Sequence, residues 1–305
     1  MYASGAPNHA PPASPRADPS DAPVANVPSL AITFLDVGQG DAAIVMTSDH
    51  HAILIDAGPP DAATRVARAL DGIALDAVVL SHPHADHLGD VATLARTLAI
   101  GQWIDPGFAP HTVAAYPHAL TALRARGIPI VTARRGMRFP LGSAAVVNVL
   151  APEEPLLTHT RSDINANSVV LRIDHHAPRG DVRVLFEGDA EDPTEKRLLT
   201  DPASLRADVL KVAHHGSKHA STVPLLDAVS PRLAVISCGS NNDYGHPHAQ
   251  TLARLTAHRS AIARTDLEGD VTVVSDNAGL TWSTARPASR DALLTPGAAS
   301  TREAP

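Results

Sequence analysis

Cysteine is almost missing from this chain: Cys238 stands alone among 305 residues, so no intramolecular disulfide can brace the fold. Its place after the apolar run 233–237 marks it as a buried, inert thiol rather than a metal ligand or nucleophile. Aromatic residues are scarce too, at 3%, with four Phe, three Tyr and two Trp. The core must therefore be built from Ala, Val, Leu and Ile, and little is left on which successive nucleic-acid bases could stack. Excess positive charge is also lacking: the formal net charge of −7 argues against a generally basic, nucleic-acid-coating surface. No apolar run approaches the length of a membrane span, so no transmembrane segment is expected in this chain. Residues 1–28 lack the basic start and continuous apolar stretch of a secretory signal. The cytoplasm is the expected compartment, with secretion the alternative if a leader precedes the present start. Nor is there a phosphate-binding glycine loop, since Gly38-Gln39-Gly40 is too short and lacks the Lys and Ser/Thr of a P-loop.

What the chain has is a concentration of ligands. Residues 81–87 read SHPHADH and hold His82, His84, Asp86 and His87. They follow the strand-like run LDAVVL and precede Leu88-Gly89-Asp90, where a helical pattern begins. A loop can wrap a cation while the strand and helix on either side keep its ligands rigid. His with Asp suits borderline cations such as zinc, and also manganese or iron. Four ligands exceed what one ion with an open position takes from a single segment, so the spacing suggests two neighbouring ions. Seventeen histidines are available to scatter, but a solvated polar turn rarely clusters ligands this tightly. Three further apolar runs stop in ligands or their partners: ILIDAG at 53–58, VLFEGD at 184–189 and VLKVAHHGS at 209–217. Four strands delivering His or Asp at their C-terminal ends describe one pocket at one edge of a sheet system.

The termini read as additions to a single foldable unit. Residues 1–28 are rich in Pro, Ala, Ser and Asp, and 286–305 return to Pro, Ala, Ser and Thr, so both are expected to be disordered around a domain at 29–285. Within that domain strands are expected at 30–36, 42–47, 52–56, 130–133, 168–174, 182–187, 209–213, 233–237 and 270–274. Helical spacing marks 61–70, 88–98, 113–126, 223–229 and 248–258.

The order LIDAG, HxHxDH, Gly-Asp after a strand, then a His-bearing strand end resembles the metallo-β-lactamase superfamily. FLDVGQGD at 34–41, LKVAHHGS at 210–217, NDYGHP at 242–247 and TDLEG at 265–269 resemble more narrowly the hydrolase domain of ComEC-type DNA-uptake proteins and their free-standing relatives. The resemblance covers residues 30–284. It implies an α/β fold, the four-layer αββα sandwich, with the pocket along one edge. The membrane channel of the ComEC proteins has no counterpart here.

The resemblance further implies two divalent ions, zinc or manganese. His82 and His84 would hold the first, Asp86 and His87 the second, and Asp189 would bridge them. His214 would complete the second site, with His215 beside it as a ligand or proton donor. Asp56 would orient a ligand imidazole, a role compatible with capping its own turn. The third ligand of the first ion is open. Where many members carry a His, this chain has Asn167, and His159 or Asp163 from the preceding loop are the alternatives. His84 stands where ComEC proteins often carry Asp, which favours a stronger first site. His246 is assigned to substrate, gripping an oxyanion or protonating a leaving group, unless it merely caps the helix at 248–258. Ser217 and Lys218 could grip a phosphate, though such a lysine is more often simply solvated.

The implied chemistry is hydrolysis by a metal-bound hydroxide, with Asp86, His215 and His246 as the catalytic set. A phosphodiester substrate, nucleic acid included, is expected from the subgroup, and metal charge would compensate for the acidic surface. The alternative is a hydrolase of small carboxyl esters, lactones or thioesters. A scaffold that had abandoned chemistry should have lost ligands, yet Asp86, His87, Asp189 and His214 are all present. No obligate protein partner is indicated.

Overall fold

The computed structural model describes residues 29–109 and 113–297. The expected loose segment 1–28 and the final residues 298–305 lie outside the described residues. Two sheets, each half antiparallel and half parallel, make up the body. The first runs in spatial order Gly279–Thr284, Val271–Asp276, Leu30–Phe34, Ala43–Thr47, Ala52–Ile55, Ala77–Val79, Trp103–Asp105 and Ile130–Thr132. Pairing is antiparallel as far as Ala52–Ile55 and parallel beyond it. The second runs Arg138–Leu141, Ala145–Ala151, Val170–His175, Val182–Phe186, Val209–Lys211, Leu233–Ile236 and Ala261–Arg264, and turns parallel at Val182–Phe186.

The period-two alternation of the strands assigns each side chain to a layer. Ile53 and Ile55 point inward with Val45 and Phe34, and meet Val147, Ile173, Phe186 and Val235 of the facing sheet. Phe34 stacks on Phe186 with ring centroids 5.6 Å apart. Leu54 and Val78 point outward against Val66, Leu94 and Leu123 of the covering helices. On the far side Leu210 and Ile236 do the same against Leu198, Leu226 and Leu255. Three apolar seams between four layers are the αββα sandwich, and aliphatic side chains fill them almost alone. Strands buried on both faces, such as AILI, AVV and LAVI, are what parallel pairing requires.

Several segments depart from the sequence expectations. The helix expected at 88–98 is two helices, Ala85–Leu88 and Val91–Thr97. Gly89 ends the first at φ +62°, in contact with Ala57, and Asp90 caps the second through the Thr93 amide (3.0 Å) and hydroxyl (2.6 Å). Asp86 and His87 therefore ride on a turn of their own. That turn is fixed by main-chain bonds from Asp41 N to Asp86 O (3.1 Å) and from Ala57 N to His87 O (2.7 Å). The segment from 286, read as a loose tail, carries the helix Arg290–Leu294. Arg264 reaches the carbonyls of Leu293 and Thr295, and Gly297 N donates to Pro247 O (2.9 Å), which ties this segment to the loop bearing His246. Strands at Trp103–Asp105, Arg138–Leu141 and Ala145–Ala151 are not among the expected ones, nor are Ala261–Arg264 and Gly279–Thr284. The first is too short for a period, and the second holds Pro140 on a sheet edge, where proline is tolerated.

Parallel strands present their C-terminal ends together. Asp56 and Ser81 leave the first sheet at this rim, while Asp189, His214 and Ser237 leave the second.

Candidate metal centre

The rim gathers potential donors around one carboxylate. Asp189 follows Val182–Phe186 and Gly188, a glycine at φ +53° whose missing Cβ would stand 2.7 Å from Ser81 Cβ. Its two oxygens face different neighbours. Oδ1 lies 3.2 Å from His87 Nε2 and 3.7 Å from His215 Nε2, while Oδ2 lies 3.6 Å from both His82 Nε2 and His214 Nε2.

On the Oδ1 side, Asp41 stands with His87, His215 and Asp189 as one possible donor set, and Asp86 Oδ2 also approaches, 3.2 Å from His215 Nε2 and 3.9 Å from His87 Nε2. Donors in a tetrahedron about 2.1 Å from a zinc ion stand about 3.4 Å from one another, which is the spacing found. His87 Nε2 and Asp189 Oδ1 are both buried without a hydrogen-bond partner in the protein. Two buried polar atoms left unsatisfied and aimed at one point would be costly unless a cation lies between them. The residues fit a metal ion.

On the Oδ2 side lie the donors expected for the first ion, the first group: His82, His84 and Asp189, with His82 Nε2 3.0 Å from His84 Nδ1. The Oδ1 donors, expected for the second ion, are the second group. His214 Nε2 approaches the same carboxylate oxygen as His82. The two adjacent histidines thus part company: His214 Nε2 lies by the Asp189 oxygen that faces His82, and His215 Nε2 by the one that faces His87. The sequence expectation places His214 with the second ion, whereas its Nε2 stands 3.6 Å from the Asp189 oxygen shared with His82. The divergence comes from the backbone, where His214 (φ 48°) and His215 (φ 53°) are both left-handed. That conformation costs about 1–2 kcal/mol per L-residue, so the surrounding structure must hold it. One hold is His214 N to Gly188 O at 3.0 Å.

His214 also supplies what the other candidates do not. Asn167 spends its side chain on bracing a loop, accepting from Leu157 N (2.9 Å) and donating to Leu157 O (2.8 Å) and Asp163 O (2.7 Å). Asp163 takes the Thr160 amide and hydroxyl at 2.8 Å each and the His159 amide at 3.2 Å, and His159 is exposed. None of the three belongs to either donor group.

Behind the Nε2 atoms stands a layer of acceptors. Asp56 Oδ2 is 2.9 Å from His87 Nδ1 and also takes the Ser81 hydroxyl (2.8 Å), which in turn lies 3.0 Å from His82 Nδ1. Asp41 is the residue that sequence reasoning missed. Its Oδ1 is 3.3 Å from His215 Nδ1, and its Oδ2 is 3.9 Å from His87 Nδ1 and accepts from Lys211 Nζ at 2.7 Å. One buried carboxylate so faces the outer nitrogens of both second-group imidazoles, and the Ser237 carbonyl adds a 3.0 Å contact to His215 Nδ1. Glu191 stands 3.2 Å from His214 Nδ1. The only sequence signal for Asp41 is its position closing the FLDVGQGD motif.

The electrostatics follow from burying charge. Burial opposes ionising Asp189, but His87, His214, His215 and His82 hold its carboxyl well below the usual range. Burial likewise opposes charging His87 and His215, yet Asp189 with Asp56 raises the first, and Asp189 with Asp41 raises the second to about 10. Burial would raise Asp41, but Lys211 and His215 bring it to about 2. His82 is pushed down, by burial first and then by His87. The protons that His87 and His215 carry stand where cations would replace them.

Of the proposed substrate contacts, His246 is buried, with its ring centroid 5.5 Å from His214 and 6.1 Å from His215. Burial and the neighbouring imidazoles lower its pKa to about 3, so it is a neutral ring, and its Nδ1 has no hydrogen-bond partner in the protein. His248 begins the helix Ala249–Ala257 without a side-chain cap bond. Ser217 is buried, with its hydroxyl accepting the His219 amide (3.3 Å), and Lys218 is exposed. Cys238 is buried, and burial raises its thiol.

The profile of the metallo-beta-lactamase superfamily matches residues 35–240. ComE operon protein 3 of Bacillus subtilis is 29% identical over 261 residues, covering 79% of this chain and 32% of that protein. Competence protein ComA of Neisseria gonorrhoeae is 32% identical over 244 residues, covering 78% and 31%. The chain spans about a third of the length of these curated relatives. Among solved structures, the short form of human tRNase Z is 12% identical with a TM-score of 0.43, over 76% of this chain and 96% of that one.

Proposed function

The chain belongs to the metallo-β-lactamase superfamily, and from that premise we propose a hydrolase of phosphodiester bonds working with two divalent ions, zinc or manganese. The observation that carries this reading is Asp189, which turns one oxygen to each of two donor groups. When bound, a pair of such ions acidifies water and neutralises charge on both the attacking and leaving oxygens of an in-line displacement. Phosphodiester cleavage needs that double neutralisation more than ester cleavage does. The resemblance to DNA-uptake proteins adds support, with the similarity to Competence protein ComA beside it, since the scissile bond of DNA is a phosphodiester.

In this reading His82, His84 and His214 would hold the first ion, His87, His215 and Asp86 the second, with Asp189 serving both. Asp41 and Asp56 keep the outer nitrogens occupied, so that the Nε2 lone pairs face inward. Asp86, whose side chain is 30% exposed, stands between the donors and the open rim, where it can accept a proton from incoming water. His246 offers a neutral N–H to a phosphate oxygen, and nearby cations would hold it neutral. His215, enclosed behind Asp86, acts as a ligand rather than a leaving-group acid.

The test is hydrolysis of bis(p-nitrophenyl) phosphate beside a chromogenic ester and a lactone, with chelator-stripped protein reloaded by zinc or manganese. Phosphodiester turnover that disappears in Asp189→Ala is expected. Ester or lactone turnover alone would reject the phosphodiesterase reading and leave only the family's fold and metal dependence.

A further inference from the structure

Beside Asp86 lies a cleft of about 520 Å³, bounded by the turn at Gly38-Gln39, by Pro59 and by the loop from Gly239 to Tyr244. Its volume falls in the range of small-ligand sites, about 300–1,000 Å³. We propose that this cleft is a nucleoside subsite, which takes the sugar and base attached to the scissile phosphate and stacks the base on Tyr244. The inference rests on the phosphodiesterase reading only for the bond that is cut.

Tyr244 is 64% exposed, unusual for a large ring beside a centre so deeply buried. One face lies on His246 with centroids 5.6 Å apart and planes within 20°, so the exposure belongs to the other face and the edge. His246 lies in turn 5.5 Å from His214, and a line of rings joins the metal centre to the cleft. The loop presenting Tyr244 is braced by a single buried amide. Asn242 donates to Gly239 O (2.9 Å) and His246 O (2.7 Å), and accepts from Tyr244 N (3.1 Å) and His246 N (2.9 Å). A braced aromatic platform binds a ring without first ordering itself.

Polar chemistry on the opposite wall points the same way. Gln39 Oε1 accepts the Gly239 amide at 3.0 Å, which fixes the orientation of its side chain and leaves Nε2 as a buried donor with no partner. A carbonyl or ring nitrogen of a nucleobase would satisfy it. Charge sets the limit on what else enters. The cleft walls carry Asp86 and Asp243 and no Lys or Arg, so a second phosphate there would meet repulsion and no counter-charge. One neutral nucleoside flank fits the walls, whereas a tracked polymer backbone does not.

The test is calorimetric titration of the full chain, carrying the metal it is purified with, by each of the four deoxynucleoside 5′-monophosphates and by deoxyribose 5-phosphate. At least one nucleotide should bind about tenfold tighter than the sugar phosphate, the scale of one stacked base. Tyr244→Ala should close that gap to within about twofold, and Tyr244→Phe should keep it. The side chain is exposed enough that both variants should fold, checked by circular dichroism. Equal affinity for nucleotide and sugar phosphate, a gap that survives Tyr244→Ala, or no nucleotide binding up to millimolar concentration would each overturn the subsite. Failure of wild-type turnover on bis(p-nitrophenyl) phosphate would count against the phosphodiesterase reading and leave this binding comparison to stand or fall alone.

Discussion

The two donor groups around Asp189 differ in how they are held. His87 and His215 are buried, and their outer nitrogens meet Asp56, Asp41 and the Ser237 carbonyl. In the other group His82 has only the Ser81 hydroxyl behind it, His84 is partly exposed and meets His82 edge-on, and the His214 side chain is 24% exposed beside Glu191. Both groups share one carboxylate and both reach solvent, one through Asp86 and the other through His84 and His214, but the imidazoles of the second group have more acceptors behind them. Pre-set orientation removes the cost of ordering ligands when an ion arrives, so the second group should bind more tightly. The group with fewer outer partners is where exchange and adjustment to substrate should occur.

The most severe way to break the comparison is to remove its hinge. Asp189→Ala takes a donor from both groups at once, and the several kcal/mol of charge stabilisation supplied by metals corresponds to about a thousandfold loss of rate or more. Elemental analysis should show fewer than two ions per chain while circular dichroism stays native. Two ions and full activity in this variant would end the shared-carboxylate account. Asp86→Ala should also abolish turnover but spare the first group, so that about one ion remains.

Next come changes that tilt the comparison one way. Asp41→Asn keeps the shape but removes the charge facing His87 and His215, and loss of such outer partners typically weakens metal affinity about 10- to 100-fold. Chelator competition should find the tight site weakened and the looser one unaltered, so the two affinities converge. His214→Ala should do the reverse and widen the gap. If His214→Ala instead strips the tighter ion, the partition of the adjacent histidines is wrong.

A subtler effect is pH dependence, seen only without metal. In the stripped protein His215 is raised from 6.5 to about 10, because Asp189 and Asp41 outweigh its burial. A raised folded pKa gives stability that is fully present below the unfolded value and lost as pH climbs through the folded one. The Tm of stripped protein should therefore fall between roughly pH 6.5 and 10, and His215→Asn should flatten that slope. Metal-loaded protein, whose ligand imidazoles must be neutral, should not show it. A slope unchanged by His215→Asn would assign the pH dependence to other groups.

Much of this centre was legible because ligands cluster where apolar runs stop. His82, His84, His87 and Asp189 each follow a strand closely in sequence, and strand ends converge in any sheet of parallel strands. Asp41 was not legible, because its partner His215 lies on the other sheet and only folding brings a contact across 174 residues. Nor was the partition of His214 from His215, since it depends on two left-handed backbone conformations that no composition signals. Asn167 misled for a related reason. An amide near a ligand-bearing strand looks like a donor until its bonds to Leu157 and Asp163 are counted.

The smallest effect expected comes from Lys218, best seen beside the buried Lys211. Lys218 follows the HHGS motif and looks placed to hold phosphate, whereas Lys211 sits within a strand. Their surroundings reverse that order. Lys211 is buried with its ammonium on Asp41 and the Val212 carbonyl, so removing its charge leaves a buried carboxylate beside both second-group imidazoles. Breaking a buried pair in this way costs about 3–5 kcal/mol, and Lys211→Met should lose stability and metal affinity together. Lys218 is exposed, and a solvated ammonium on a flexible stem gains little from any one fixed contact. Lys218→Ala should change kcat/KM by no more than about twofold, well under 1 kcal/mol. A tenfold rise in KM for a phosphodiester in that variant, with stability unchanged, would move Lys218 into the substrate site and require a loop that closes on phosphate.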